Sequence, residues 1–121
     1  MIRINMNTIR FKLTVEGHAM PEESEDYSII CAGASMLVQA LVYSIEKFNS
    51  GGDALSSMKY RDDPGNVLLE VHPEEWARIS IAKRFNYYGD GLELLAMNNP
   101  ECVEFIWDGE KIIPYKEEDK K

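Results

Sequence analysis

With 121 residues, 45% of them hydrophobic, the chain has the size of one domain with a single core and no room for a second. Its formal net charge of −8 argues against direct nucleic-acid binding, which needs a basic face, and suits either a basic peptide partner or simple solubility. Two cysteines without a framework spacing, and no charged-then-apolar leader, predict a reduced, cytoplasmic protein.

In chain order, Ile2-Arg3-Ile4 reads as a short strand. Ile9, Phe11, Leu13 and Val15 then alternate with Arg10, Lys12, Thr14 and Glu16, the period of a half-buried strand ending at Gly17. Residues 19–26 are polar, contain Pro21 and read as a loop. From Tyr27 to about Phe48 the pattern is helical, closing at Asn49-Ser50-Gly51-Gly52. Residues 27–45 of this stretch carry no formal charge, which raises the question of a membrane span. Ser28, Gly33, Ser35, Gln39 and Ser44 dilute it, so it reads instead as a helix buried on a sheet and covered by a second helix or a second subunit.

Met58–Arg61 and Val67–Val71 flank Asp62-Asp63-Pro64-Gly65-Asn66 and predict a hairpin. A second helix is expected from Pro73-Glu74-Glu75 to Asn98-Asn99-Pro100, with Ala77, Ile81, Phe85, Tyr88, Leu92 and Leu95 on one stripe and a bend or break where Gly89 and Gly91 interrupt it. Val103, Phe105 and Trp107 form a strand, Asp108-Gly109 a turn, and residues 111–115 a last short strand. The charged tail 116–121 is expected to be disordered, leaving 1–115 as the domain. Few helices among hairpin-linked strands predict an α+β two-layer sandwich, with one mostly antiparallel sheet and two helices packed on it.

The chemistry concentrates in Gly17-His18-Ala19 and Cys31-Ala32-Gly33-Ala34-Ser35. A histidine at the end of one element and a cysteine at the start of a helix are the parts a thiol nucleophile needs. A free thiol with pKa near ~8.5 is mostly protonated at neutral pH, so its surroundings must favour the thiolate. If Ser28 is the N-cap, Cys31 falls at the third helical position, where free amides and the helix dipole stabilise an anion and could hold an oxyanion. His18 would stabilise the thiolate as an imidazolium and then protonate the leaving amine.

These two motifs give the chain a resemblance to the ribosomal-processing cysteine protease family, Prp. The family has a G-H-A segment, a loop, and a helix opening with C-A-[AG]-[AV]-S. Similarity extends to the later hairpin and to Asn99-Pro100 before Cys102-Val103. The resemblance implies a Cys31–His18 dyad, with Gly17, Ala19, Ser28 and Ser35 as substrate-binding or loop-hinge positions. It implies removal of a short N-terminal extension from a large-subunit ribosomal protein, cutting after an aromatic residue. It also implies a homodimer, which would account for a first helix apolar on most sides. Two departures bear on the substrate more than on the chemistry: Ser28 stands where the family usually has aspartate, and acidic Glu22–Asp26 replaces a glycine-bearing loop. Alternatives are the same protease acting on a phage or prophage capsid-related protein, or a catalytically silent dimeric peptide-binding module.

Taken alone, Cys31 would be a packing cysteine, Gly33 a small residue allowing close helix packing and Ser35 a packing hydroxyl. The Gly-His-Ala and Cys-Ala-Gly-Ala-Ser strings together favour catalysis. His72 precedes a helix and Cys102 reads as core. Histidines and cysteines at 18, 31, 72 and 102 lack ligand spacing, so no metal or other cofactor is expected. Tyr87, Tyr88, Phe105 and Trp107 read as core, with one or two of them candidates for lining an aromatic substrate pocket.

Overall fold

The computed structural model describes residues 1–17, 25–63 and 65–113, with backbone alone at 25–28. His18, Ala19, the rest of the loop to Ser24 and the tail from 114 lie outside the described residues.

Strand β1 (Ile2–Asn7) alternates strictly, with Ile2, Ile4 and Met6 buried and Arg3 and Asn5 exposed. It pairs antiparallel with β2 (Lys12–Glu16). The strand expected from Ile9 therefore starts three residues later. Asn7 Oδ1 accepts from the amides of Ile9 and Arg10 at 2.9 and 2.8 Å, winding residues 8–11 into a turn. Phe11 enters the core at a φ of 55°, while Ile9 points to solvent.

After the helix α1 (Glu25–Phe48) comes a long hairpin of β3 (Leu55–Asp63) and β4 (Asn66–Pro73). Asp63 pairs with Asn66 across the turn, and Gly65 adopts a φ of 76°, open to glycine at no steric cost. The turn from α1 into β3 is tied by Asn49 Oδ1, which accepts from the amides of Ala54 and Leu55. A 3-10 turn (Glu75–Ala77) leads into α2 (Arg78–Asn98), so the second helix starts later than its proline and acids predict. β5 (Val103–Trp107) and the two-residue β6 (Glu110–Lys111) complete the chain. The final strand is shorter than expected, with Asp108 and Gly109 at positive φ closing the hairpin.

The six strands form one sheet in the order β3-β4-β2-β1-β5-β6, in which β1 and β5 are parallel and every other pairing is antiparallel. Its inner face carries Ile2, Ile4, Met6, Leu13, Leu69, Val71, Val103 and Phe105. Its outer face carries polar side chains, including ion pairs Lys12–Glu70, Arg3–Glu104 and Lys111–Glu104. The expected two-layer α+β sandwich is thus the observed one.

Val38, Leu41, Val42 and Ile45 of α1 and Ile81, Phe85 and Leu92 of α2 close the core. Each such side chain contributes about 1.5–3 kcal/mol by burial. The α1 stretch Ile29–Phe48 is long and apolar enough, by length and composition alone, to cross a membrane. In the fold its inner residues cover the sheet, while Ile29, Met36 and Tyr43 face outward.

Neither Gly89 nor Gly91 breaks α2, which is continuous from Arg78 to Asn98; both serve packing. A side chain at Gly91 would meet Leu37 of α1, and Gly33 of α1 faces Leu95, so the two helices run antiparallel in close contact. At Gly89 a Cβ would collide with the Met6 methyl and sit 2.9 Å from the Trp107 ring. Replacing glycine by alanine gains about 1 kcal/mol of helix propensity, whereas overpacking costs about 1–3 kcal/mol. Gly89→Ala is therefore expected to be destabilising in urea unfolding, and a more stable variant would show that Met6 and Trp107 yield freely.

Candidate active site

Cys31 lies on the face of α1 that also carries Ala34, Ser35 and Val38, the spacing of one helical face. Together they roof a cleft of about 160 Å³ whose floor is Ile2, Val15 and Val67. The rim is supplied by Gly17, Asp62, Asp63, Gly65 and Asn66. Cys31 is half-buried and its thiol is free.

The rim is held by backbone. The β2–β4 ladder sets Val15 opposite Val67 and Glu16 opposite Asn66, and the Gly17 amide then donates to the Gly65 carbonyl at 2.9 Å. Gly17 has a φ of 92°, and a Cβ there would strike the Met1 carbonyl oxygen, so no other residue fits without a shift. Gly17 thus reaches the rim of the cleft. Its sequence neighbours His18 and Ala19 lie outside the described residues.

One expectation is overturned. Helix α1 begins at Glu25, so Ser28 sits inside the first turn and is not the N-cap, and Cys31 is the seventh helical residue. The Cys31 amide belongs to the intrahelical ladder, and the free first-turn amides lie about one turn away. They are not the oxyanion donors the sequence placed at Cys31. Ser35 accepts a hydrogen bond from Gln39 Nε2 at 3.1 Å and lines the cleft.

None of Tyr87, Tyr88, Phe105 and Trp107 lines the cleft: Phe105 is core with its ring near Trp107, Trp107 packs toward Gly89, and Tyr87, expected in the core, is 68% exposed. The floor beside Cys31 is aliphatic. Cys102 packs against the core, His72 is exposed at the far end of β4, and among the described residues no group of three acidic, histidine or cysteine side chains could hold a metal. Asp62, Asp63, Asn66 and Val67 escaped the sequence reading as site residues. Their only local signal was that of a hairpin turn, and nothing in it names β2 as their neighbour.

Tyr60, next along the inner face of β3, donates its hydroxyl to Asp62 Oδ2 at 3.0 Å. Partial burial, that hydrogen bond and the negative charge of Asp62 and Glu46 push the phenol from 10.0 up to about 12. The fold favours the neutral phenol, so its contribution is complete below pH 10 and is lost as pH rises toward about 12. Tyr60→Phe is expected to lose less stability across that window than the wild type in denaturant titrations. Parallel losses in the two proteins would rule this out.

A family model described as cysteine protease Prp matches residues 1–104. No curated protein gives a significant match. Among solved structures, the chain is similar to SMU.848 from Streptococcus mutans, with 20% identity, coverage of 88% of this chain and 90% of that one, and a TM-score of 0.63. It is also similar to the essential ribosomal processing protease Prp from S. aureus in complex with a covalently linked product peptide, at 18% identity, 88% and 99% coverage and a TM-score of 0.66. The same S. aureus protein in complex with a substrate peptide matches at 16% identity, 88% and 96% coverage and a TM-score of 0.61.

Proposed function

The chain belongs to the cysteine protease Prp family, and on that premise we propose that it is a cysteine endopeptidase with Cys31 as nucleophile and His18 as general acid–base. The observation that carries the proposal is the position of Cys31: a free thiol on a helix face that opens into a cleft, with the strand leading to His18 anchored at its rim through Gly17. In this reading the Cys31 thiolate attacks the scissile carbonyl and forms a thioester. The His18 imidazolium gives its proton to the leaving amine, and water, deprotonated by His18, then hydrolyses the thioester.

The proposed substrate is the N-terminal extension of a large-subunit ribosomal protein, processed in the cytoplasm. The S. aureus relative is described as a ribosomal processing protease and has been captured with substrate and product peptides, which supports a polypeptide substrate. Gly17, Ala19, Ser28 and Ser35 are proposed as the hinge and substrate-contact positions around the dyad.

The test is cleavage of synthetic peptides with an aromatic residue before the cut, followed by mass spectrometry. Wild type should cut, Cys31→Ser should not, and His18→Ala should be slower by about 10²–10⁴-fold. A preference for capsid-derived over ribosomal peptides would move the substrate to a phage structural protein. Wild type and Cys31→Ser equally inert toward both sets would instead point to a peptide-binding module.

A homodimer is proposed as well, seated on the outward face of α1. Ile29, Met36 and Tyr43 recur there at seven-residue spacing and are 68%, 65% and 64% exposed. Sedimentation analysis should find a dimer that Met36→Lys dissociates without loss of helical signal. A monomeric wild type at assay concentrations would end that part of the reading.

A further inference from the structure

Residues paired across neighbouring strands share a face of the sheet, so the inward side chains fall into rows that cross it. One row reads Phe105, Ile4, Val15, Val67 and Asp62, from β5 through β1, β2 and β4 to β3. The row beside it reads Trp107, Met6, Leu13, Leu69 and Tyr60. Asp62 alone in the two rows carries a charge, and it stands in the cleft that Cys31 roofs. An inward carboxylate breaks the alternation that the rest of the sheet obeys. Such breaks are where function is expected.

What surrounds that carboxylate narrows its partner. Asp63, the other charged residue of the cleft, has the strand parity of Lys59 and Arg61, so Asp62 is the one on the inner face. Its Oδ2 accepts from the Tyr60 hydroxyl at 3.0 Å. The Tyr60 phenol, pushed up to about 12, stays a donor throughout the neutral range. Among the described residues no lysine, arginine or histidine pairs with Asp62. The carboxylate is thus held by a neutral donor and left without a cation, above a floor of Ile2, Val15 and Val67. A lysine or arginine side chain matches both features, with its carbon stem along the valines and its charged end on the carboxylate.

We propose that Asp62 determines specificity in this cleft, selecting a substrate with lysine or arginine within about two residues of the scissile bond, and that Tyr60 is its positioning residue. The reach follows from size. A hollow of about 160 Å³ is on the order of 7 Å across, the length of about two extended residues. This rests on Cys31 being the nucleophile.

The experiment is a charge scan of the cleavage peptides. Lysine, glutamine or glutamate is placed at each position within two residues of the cut, the aromatic one excepted. Turnover is measured with wild type, and binding to Cys31→Ser by fluorescence anisotropy. At one or more positions lysine should lower KM and tighten binding up to about fivefold relative to glutamine, with glutamate the weakest. Asp62→Asn, which keeps shape and removes charge, should abolish that advantage, and Asp62→Lys should transfer it to glutamate. Tyr60→Phe should shrink it through KM. A flat scan overturns the proposal, and if wild type still cleaves, the nucleophile stands. A loss in Asp62→Asn that falls on kcat equally for all peptides also overturns it, because selection acts through binding. So does self-association of Asp62→Asn with the lysine preference intact, the mark of a charge that only guards an edge strand. If wild type cleaves none of the peptides while Cys31→Ser still prefers lysine through Asp62, the nucleophile fails and the selection stands.

Discussion

The antiparallel ladder between β2 and β4 places the hairpin tip beside Gly17 and beneath α1, and the cleft exists because of it. Val15 and Val67 become neighbours on the floor, and the Gly17 amide finds the Gly65 carbonyl where the ladder runs out. Each of these backbone bonds contributes only about 1 kcal/mol net. Their value is positional: some fifty residues separate the two segments in sequence, and the ladder sets their register to a single residue. A slip by one would turn Val15 and Val67 to the outer face and dismantle the floor.

Helix α1 serves two surfaces with one sequence. Val38, Leu41, Val42 and Ile45 cover the sheet, whereas Cys31, Ser35 and Val38 roof the cleft, with Val38 shared by both. α2 lies against its flank through glycines, Gly91 against Leu37 and Gly33 against Leu95, which brings the two backbones close and fills the helical layer. Glycine costs helix propensity at both positions; a Cβ at Gly91 would sit 2.8 Å from a Leu37 methyl, whereas one at Gly33 would make ordinary contact with Leu95 at 3.7 Å.

The early start of α1 changes the physical account of the thiol. Cys31 does not sit on the free amides of a helix end, which lie about one turn before it. Carboxylates dominate the opposite wall, and Tyr60 bonds to one of them.

Periodicity by itself determined the α+β class, both helices, the long hairpin and the last strand, since alternation and helical stripes are local consequences of which face is buried. Cys31 and Gly17 were marked not by period but by the Cys-Ala-Gly-Ala-Ser and Gly-His-Ala strings, and the roles given to them are what the resemblance to the Prp family implies. Where local signals competed, the structure decided: Asn7 turned the chain at Ile9, α1 was already helical at Glu25, before Ser28, and α2 ran unbroken through Gly89 and Gly91. The place of Asp62, Asp63 and Val67 in the cleft was decided there too. Strand order is a long-range property, and no pattern within a hairpin records which strand will lie beside it.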